Sequence, residues 1–320
     1  MARRCEAPHH DRPCVFFVAR NYERCSPYDL PLMEISVVTP SFNMLPYLRR
    51  CRASVADQQG VSVEHIVADG GSTDGTVDQL AKWADVTTGA TSTNTFRYFS
   101  GKDAGMYDAL NKGFAQTTGD VVAWLNCDEQ YLEGTLAYAR DRFRDDPELD
   151  ILFGSALLVK PDGSLLAARK SYPARYAYIA TMNLYNLSCG MFFRRKLWDE
   201  GLKFDMSYRQ LGDQDLILRA LRSGARTKHT SRPLSVFSFT GNNLSWSDAA
   251  MREVDRIRSE QPMYMRVLRR PINLLRMASK AWHGAYRHGP VDYAVYPEDD
   301  LSARRRFKVD NVSASWPDER

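Results

Sequence analysis

Several common protein classes are excluded by what the sequence lacks. Its 320 residues contain only six cysteines, and none of these stands in the Cys-x-x-Cys spacing of zinc and redox sites. No apolar run approaches the roughly 20 residues that a membrane-spanning helix requires. Scattered thiols without a disulfide pattern are ordinary in a reducing compartment, so we expect a cytoplasmic protein.

Signatures of nucleic-acid and dinucleotide binding are also missing. The formal net charge of +4 comes without a long lysine and arginine run interleaved with aromatics, so we expect no nucleic-acid partner. The glycines of DGGSTDGT, at 69–76, do not follow the G-x-G-x-x-G spacing, which disfavours a dinucleotide cofactor. Hydrophobic residues at 44% and charged residues at 26% are the proportions of a folded globular chain.

Strand patterns alternate with helical patterns between residues 35 and 125. Strands are predicted at 35–39, 63–68, 96–99 and 121–125, and helices at 45–56, 76–83 and 106–116. This alternation predicts an α/β fold, with a mostly parallel sheet and helices on both faces. Ligands of such sheets bind beyond the carboxyl ends of the strands, where the loops TPSFN, DGGSTDGT and LNCDE are found.

The pattern changes after residue 150. Two short apolar segments, 151–160 and 164–168, flank a Pro-Asp-Gly turn and predict a hairpin. A further apolar segment follows at 186–193, and a helix is predicted at 213–223, begun by acids and followed by Gly224. We expect this half of the chain to shape an acceptor-binding side of the site.

The loop DGGSTDGT has two interpretations. Its first acid, Asp69, ends a predicted buried strand, and the glycines after it let a ligand approach the backbone closely. A carboxylate at this position accepts hydrogen bonds from a ribose or a base edge. The alternative is a tight turn in which Asp74 caps the following helix.

The segment SGKDAGMYDALNKGF, at 100–114, concentrates polar side chains around the start of a predicted helix. Asp103, Asp108, Asn111 and Lys112 lie on either side of Gly105. A helix N-terminus with a lysine nearby favours phosphate binding. The alternative is an exposed amphipathic helix with solvated charges.

The segment WLNCDEQ, at 124–130, places acids directly after a predicted buried strand. Asn126 and Asp128 stand two residues apart, so their side chains lie on one side of an extended chain. A pair of oxygen ligands suits Mg²⁺ or Mn²⁺, and such a cation stabilises a diphosphate leaving group. A loop cap is the alternative interpretation of these residues alone.

The segment LGDQDL, at 211–216, begins a predicted helix with two acids. Asp213 and Asp215 suit the positive end of the helix dipole, and either is a candidate for the general base that removes a proton from an acceptor hydroxyl. The alternative is a pair of N-terminal helix acids without further function.

Taken together and in this order, TPSFN, DGGSTDGT, DAGMYDALNKG, WLNCDE and GDQDL resemble the family 2 glycosyltransferases, which have the GT-A fold. The resemblance runs from about residue 34 to 246 and looks closest to members that act in colanic acid and other exopolysaccharide assembly. It implies an inverting, metal-dependent transfer of one sugar from a nucleotide-diphosphate-sugar donor to a hydroxyl of a glycan or lipid-linked acceptor, with Mg²⁺ or Mn²⁺ as cofactor. A non-catalytic sugar-nucleotide-binding or scaffolding protein of the same fold is the alternative.

The resemblance also implies roles for individual residues. The nucleotide, diphosphate and sugar of the donor would contact Thr39, Pro40, Phe42, Asn43, Asp69, Gly70, Ser72, Asp103, Asp108, Asn111, Lys112, Asn126 and Cys127. Asp128 would bind the metal, in a D-x-D motif whose first acid is replaced here by Asn126. Asp213 falls on the catalytic base of the family, where the acid that usually precedes it is here Gly212, and Asp215 is the second candidate.

The expected organisation has three parts. These are an N-terminal extension at 1–33, a GT-A domain at 34–246 with a nucleotide-sugar half at 34–130 and an acceptor half at 150–246, and a helical, basic C-terminal extension at 247–320. The resemblance also implies that SFTGNNLSW, at 238–246, stands where members of the family have an acceptor-side loop. The segment 263–288 has six Arg and Lys residues and no acid. It is expected either to contact the inner face of the cytoplasmic membrane or to pack on the domain.

Overall fold

The structure, a computed structural model, describes residues 33–88, 94–239 and 248–316. Its strands are β1 (Glu34–Ser41), β2 (Ser62–Asp69), β3 (Thr95–Ser100), β4 (Val121–Trp124), β5 (Glu129–Tyr131), β6 (Ile151–Val159), β7 (Leu165–Arg169), β8 (Met191–Arg194), β9 (Thr227–Ser238), β10 (Val291–Val295) and β11 (Arg305–Val309). Its helices are α1 (Leu45–Ala56), α2 (Thr76–Thr88), α3 (Met106–Phe114), α4 (Thr135–Asp145), α5 (Tyr176–Thr181), α6 (Arg195–Asp199), α7 (Gly212–Arg222), α8 (Asp248–Ser259), α9 (Met263–Val267) and α10 (Arg269–Trp282).

Nine of the described strands form one sheet in the order β3-β2-β1-β4-β8-β6-β9-β5, with β7 also paired to β6. The strands β1 to β4, β6 and β9 run in one direction, and β5, β7 and β8 run against them. The predicted α/β architecture with a mostly parallel sheet is therefore confirmed. The predicted hairpin is present as well, because β6 and β7 pair antiparallel.

Two hydrophobic cores lie on opposite faces of the sheet because successive strand residues point to opposite sides. In β4, Val122 and Trp124 belong to the core that includes side chains of α3, α5 and α7. Val121 and Ala123 belong to the core that includes side chains of α1 and α4. Helices therefore cover both faces, and the continuous apolar run of β4 is explained by burial on two sides.

The parallel strands β1, β2 and β3 end at the same edge of the sheet, and backbone hydrogen bonds join the loops that follow them. The amide of Gly70 donates to the carbonyl of Ser41 at 2.8 Å, and the amide of Gly101 donates to the carbonyl of Asp69 at 3.0 Å. The three loops therefore leave the sheet side by side. This edge carries most of the residues that the sequence assigned to a donor.

The C-terminal part contains the expected helices but ends in a two-stranded antiparallel sheet, β10 and β11, that the sequence pattern did not predict. Apolar side chains of this sheet pack against β6, β7 and β9. Arg304, between the two strands, donates to the Asp57 carboxylate and to three backbone carbonyls. The side chain of Gln130 in β5 exchanges two hydrogen bonds with the backbone of Tyr296. The segment 291–309 is thus tied into the domain.

Some expected features lie outside the described residues. The N-terminal extension does so except for Met33, which packs against the core of α1 and α4. The expected acceptor-side loop at 238–246 is described only as far as Phe239. Among the described helices, none is long and apolar enough to cross a bilayer.

A buried carboxylate joins the first three strands to the turn before β4. Glu64 is 2% exposed and accepts hydrogen bonds from the Ser36 hydroxyl, from the amide and hydroxyl of Thr118, and from the Arg97 guanidinium. Burial alone would raise the pKa of Glu64, but these donors outweigh it and the pKa lies below its ordinary value. The fold therefore stabilises the ionised form.

We expect Glu64→Gln to lower the free energy of unfolding by about 2–4 kcal/mol at pH 7, because a buried set of donors loses its charged acceptor. A folded pKa below the ordinary value gives stability that is present above that value and is lost as the pH falls through the folded pKa. The difference between the two proteins in urea unfolding should therefore shrink below about pH 4.

The control for this substitution is Glu148→Gln. Glu148 is 73% exposed and pairs with Arg226 at the surface, so its loss should change the free energy of unfolding by less than about 0.5 kcal/mol. Equal effects of the two substitutions would contradict the role assigned to Glu64.

Candidate active site

The loop after β2 is held by the carboxylate that ends the strand. Asp69 is 1% exposed, and its oxygens accept hydrogen bonds from the amides of Gly71 and Ser72 and from the hydroxyls of Ser72 and Ser100. Four donors on one buried carboxylate fix the loop against β3. The side chain that the family resemblance assigns to the nucleobase therefore also organises its own loop.

Residues of the first and second loops bind one another. The amide of Asn43 donates to the Ser72 hydroxyl at 2.8 Å, and the Asn43 side chain accepts from the amide of Thr73 at 2.8 Å. The φ angle of Asn43 is 51°, a left-handed conformation that asparagine adopts more readily than most residues. Asp74 accepts from the first backbone amides of both α1 and α2. The capping role considered for Asp74 is therefore present, and these hydrogen bonds define the shape of the loop.

One glycine allows the second and third loops to approach closely. A Cβ atom on Gly70 would lie 2.8 Å from a carboxylate oxygen of Asp103 and 3.3 Å from the ring of Phe42. The Phe42 side chain is 61% exposed, which is unusual for an aromatic ring of this size. Phe42, Gly70 and Asp103 thus meet at an open face on the edge of the sheet.

Three residues predicted to contact the donor lie in the core behind this face, namely Thr39, Pro40 and Cys127. The Thr39 hydroxyl is buried and lies 3.0 Å from a ring nitrogen of His65. The Cys127 thiol is also buried, donates to the Pro40 carbonyl at 3.1 Å, and has a pKa raised by burial. These contacts support the loops from within the protein. A direct contact of these residues with a donor stays a prediction.

The polar residues of α3 divide between a surface ion pair and a link across the site. Asp108 and Lys112 form an i,i+4 ion pair at 2.9 Å, and the hydrogen bond from Lys112 lowers the pKa of Asp108. Asn111 instead donates to the carbonyl of Phe204 at 2.9 Å and accepts from its amide at 3.0 Å. Asn111 therefore ties the first half of the domain to the second.

The chain after β4 presents an unpaired oxygen beside a carboxyl group. The amide of Asn126 donates to the Glu129 carboxylate at 2.8 Å, whereas the Asn126 side-chain oxygen is buried and has no hydrogen-bond partner within the described part of the chain. Burial raises the pKa of Asp128 to about 6, while the charge of Arg50 acts in the opposite direction. A buried oxygen without a partner is uncommon and suits a ligand that supplies a cation or a hydroxyl.

The oxygen atoms of Asn126 and Asp128 are suitable ligands for a cation that is also bound by a second molecule. Within 33–88, 94–239 and 248–316, no three His, Cys, Asp or Glu side chains come together as a closed metal site. Mg²⁺ is commonly held by one or two protein carboxylates together with phosphate oxygens and waters. These two residues therefore fit a cation that is completed by a diphosphate.

A third acid connects the two halves electrostatically. Glu129 is 1% exposed, and burial raises its pKa well above the ordinary value. The charge of Asp128 raises it further, and the charge of Asp213 adds to the effect. Glu129 therefore lies within electrostatic range of the metal candidate and the base candidate. Neither the motifs nor the family resemblance assigned a role in the site to Glu129.

The base candidate Asp213 stands at the start of α7, which is fixed by α3. The Tyr107 hydroxyl accepts from the amide of Gly212 at 2.9 Å, and a Cβ atom on Gly212 would lie 2.6 Å from the Tyr107 ring. No side chain fits at 212, which explains why glycine replaces the usual acid. Burial raises the pKa of Asp213 to about 6, and the charge of Glu253 contributes. A carboxyl group that titrates near neutrality suits proton transfer.

The second base candidate has a partner of opposite charge. Asp215 accepts a hydrogen bond from the Arg219 guanidinium at 2.8 Å, one helical turn further along α7. Asp213 has no such cation beside it among the described contacts. The geometry therefore favours Asp213 over Asp215 as the candidate for the general base.

Glu253 is a residue of the site region that sequence reasoning missed. Its carboxylate accepts hydrogen bonds from three consecutive backbone amides, those of Arg209 at 2.6 Å, Gln210 at 3.0 Å and Leu211 at 2.9 Å. The loop it holds leads directly into α7. Glu253 belongs to α8, about 40 residues further along the chain, and no local pattern marks an acid there as the anchor of a distant loop.

Comparison with known proteins identifies the family to which these residues belong. A model described as glycosyl transferase family 2 matches residues 36–217, more than half of the chain. The chain belongs to glycosyl transferase family 2. This glycosyltransferase is 26% identical over 195 residues to a PGL/p-HBAD biosynthesis glycosyltransferase of Mycobacterium bovis, covering 59% of this chain and 70% of the relative. It is 22% identical over 288 residues to the hyaluronan synthase of Pasteurella multocida, covering 89% of this chain and 26% of that synthase.

Solved structures confirm the fold of this glycosyltransferase. It is similar to S. aureus TarS 1–349 in complex with UDP-GlcNAc, with a TM-score of 0.57 and 18% identity over 78% of this chain and 72% of that chain. A second structure of S. aureus TarS gives a TM-score of 0.55 with 17% identity over 82% of this chain and 58% of that chain. These structures confirm the GT-A fold that the motifs implied, and the family model confirms the enzyme class.

We expect Glu253→Ala to lower kcat/KM of the glycosyltransferase by about tenfold, because three amides before α7 lose their common acceptor and Asp213 is positioned less firmly. Removal of the Glu253 charge also lowers the pKa of Asp213, so the acidic limb of the pH–rate profile should move to lower pH. Steady-state rates between pH 5 and 8 measure both effects.

Asp255→Ala on the same helix is the control. Asp255 is 76% exposed and should leave the rate and its pH profile unchanged. A lower rate in Glu253→Ala with an unshifted profile would assign Glu253 to loop stability without any influence on Asp213.

Proposed function

We propose that this glycosyltransferase moves one sugar from a nucleotide-diphosphate-sugar donor to a hydroxyl group of a glycan or lipid-linked acceptor, with inversion at the anomeric carbon. The observation that carries the proposal is the placement of two carboxyl groups, Asp128 between β4 and β5 in the first half and Asp213 in the first turn of α7 in the second, and burial raises the pKa of each to about 6. Glu129 lies within electrostatic range of both. A leaving-group site and a base are the two functions that a single displacement needs.

The donor is proposed to bind along the edge formed by the first three loops. Phe42 offers an exposed ring on which a nucleobase can stack, next to Gly70 and the Asp103 carboxylate. Lys112 lies on the exposed side of α3 and supplies a positive charge for phosphate. The named UDP-GlcNAc complex of S. aureus TarS supports a nucleotide sugar as the class of donor.

A divalent cation, Mg²⁺ or Mn²⁺, is proposed to be held by the Asp128 carboxylate and the unpaired Asn126 oxygen. When bound, such a cation neutralises charge on a departing diphosphate. The raised pKa of Asp128 supports this assignment because a cation stabilises the ionised form that burial disfavours. Asn126 contributes an oxygen without a second negative charge.

Asp213 is proposed as the general base. Its carboxylate accepts the proton of the acceptor hydroxyl as the acceptor oxygen forms a bond to the anomeric carbon. The bond between that carbon and the diphosphate breaks in the same displacement, so no covalent enzyme intermediate is formed. A base with a pKa of about 6 is ionised at neutral pH and close enough in basicity to take the proton as the bond forms.

We expect Asp213→Asn to lower kcat by about 10²–10⁴-fold while donor affinity changes little, because the amide keeps the shape of the side chain and cannot take a proton. The rate of the unmodified enzyme should fall as the pH drops below about 6, where Asp213 becomes protonated. Initial rates and donor titrations measure the two quantities separately.

Asp215→Asn is the matched variant, since the same change is made two positions further along in the first turn of the same helix and affects a carboxylate engaged by Arg219. A smaller loss is expected there. If Asp215→Asn abolished turnover and Asp213→Asn did not, the base would be Asp215.

We expect Asp128→Ala to weaken binding of the donor in the presence of Mn²⁺ by about tenfold or more, with little change when the metal is omitted. Calorimetric titration of a nucleoside diphosphate with and without Mn²⁺ measures this difference. Cys127→Ala, next to it but buried against Pro40, should keep the metal dependence. An unaltered response to Mn²⁺ in Asp128→Ala would remove Asp128 as the metal ligand.

The biological setting is proposed to be the assembly of exopolysaccharide or another cell-surface glycan, at the inner face of the cytoplasmic membrane. The names of two relatives support a glycan or glycoconjugate product, one in PGL/p-HBAD biosynthesis and one a hyaluronan synthase. A thermal-shift screen of UDP-, GDP- and dTDP-sugars with Mn²⁺ tests the donor class. No stabilisation by any nucleotide sugar would overturn the proposal.

A further inference from the structure

The helix α10 has its apolar face on the outside. Six residues recur at helical spacing on one side of it and all are exposed: Pro271, Leu274, Leu275, Ala278, Ala281 and Trp282. Leu274 is 66% exposed, Leu275 61% and Trp282 88%, whereas a surface helix normally turns such residues inward.

The polar side of α10 faces the protein. Arg276 donates to the Tyr172 hydroxyl at 3.1 Å, and Lys280 lies over the ring of Tyr286 at 4.2 Å. The helix packs against α5, and no residue of α10 is fully buried. The inner side of α10 therefore includes polar contacts, and its apolar side remains uncovered in the described part of the chain. Exposed apolar faces of this kind mark interaction sites.

The segment that carries this face is basic. Between Glu260 and Asp292 the sequence has no carboxylate, and it has four exposed arginines, listed here as Arg266, Arg269, Arg270 and Arg287. The neighbouring helix α9 adds exposed apolar side chains at Met263 and Val267, which are 70% and 71% exposed. An occupant must therefore be apolar at its centre and negatively charged around it.

We propose that the outer side of α9 and α10, the α10 face, docks on an anionic lipid bilayer with α10 lying flat in the headgroup region. The 14 residues of α10 and the five of α9 have a combined length of about 29 Å, and with a width near 10 Å they offer roughly 300 Å², below the roughly 800 Å² per partner of a stable protein interface. Two copies of the face would also bring like charges together. A bilayer interface accepts a single helix of this kind, with tryptophan at the headgroup level and arginines beside anionic lipid.

Docking would orient the proposed active site. α5 packs against both α10 and α7, the helix that begins beside Asp213. The α10 face and the base candidate Asp213 therefore lie on helices that both pack against α5. Such an arrangement suits an acceptor that is anchored in the same bilayer. The binding of the protein to lipid does not depend on the proposed sugar transfer and is measured without it.

The test is co-sedimentation of the full chain with vesicles of phosphatidylcholine alone and of phosphatidylcholine mixed with phosphatidylglycerol. We expect binding to the mixed vesicles, weakened by added salt because the arginines are exposed. Leu274→Glu should lower the partition coefficient by about tenfold, because an apolar side chain that enters the interface is replaced by a charge.

Leu301→Glu is the matched control. Leu301 is 37% exposed and lies outside the α10 face, so the same substitution there should leave binding unchanged. Both positions are exposed, and equal melting temperatures will show that folding is intact. Trp282→Phe should remove the blue shift of tryptophan fluorescence that accompanies vesicle binding, while binding itself persists.

Three results would overturn the proposal. They are equal binding by Leu274→Glu and Leu301→Glu, absence of binding to the phosphatidylglycerol vesicles, and a dimer of the unmodified protein that Leu274→Glu dissociates, which would assign the α10 face to a second copy. Activity on a soluble acceptor should be unchanged in Leu274→Glu, so a failure of lipid binding is distinguishable from a failure of the proposed transfer reaction.

Discussion

The parallel pairing of β1 with β2 on one side and β4 on the other is the constraint on which the rest of the site depends. Val38 of β1 lies opposite Ile66 in one neighbour and Trp124 in the other, so the three strands run in register to the same edge. A shift of β4 by one residue would turn Trp124 away from the core that holds α3 and α7 and would move Asn126 and Asp128 as well. The position of the metal candidate is therefore set by packing on both faces of a strand four residues long.

Buried acids at this edge support the proposal that a donor binds together with a cation. Asp128, Glu129 and Asp213 all have a pKa raised by burial, so burial disfavours the accumulation of negative charge on these groups. Asp69 differs, because four donors occupy its oxygens. A diphosphate approaching these groups without a cation would be repelled. Asn126 stands where the D-x-D motif has its first acid, so this chain has one negative charge fewer beside Asp128. This agrees with the proposal that the cation enters together with its phosphate ligand.

Local patterns predicted the first half of the domain well and the second half in part. The apolar run of β1 and the glycines after Asp69 are signals that neighbouring residues produce, and both strand and loop were found where they were expected. The β5 strand, by contrast, is three residues long and exists because it pairs with β9, over a hundred residues later. Glu253 could not be predicted for the same reason, since its three partners are backbone amides that carry no sequence signature.

The side chains of Thr39 and Asn111 show a further limit, because a motif indicates that a residue belongs to the site region without showing whether it contacts a ligand or supports a loop.

The tie between the last strands and β5 affects how this protein can be recombined with its relatives. Gln130, two residues after Asp128, exchanges hydrogen bonds with Tyr296, and Arg304 binds both Asp57 and the carbonyl of Tyr131. A chimera that took residues up to 246 from this chain and its C-terminal part from a relative would leave the Gln130 amide and the Asp57 carboxylate without these partners. The segment around the metal candidate and the C-terminal strands therefore form one structural unit, and they have to be exchanged together although more than 150 residues separate them in the sequence.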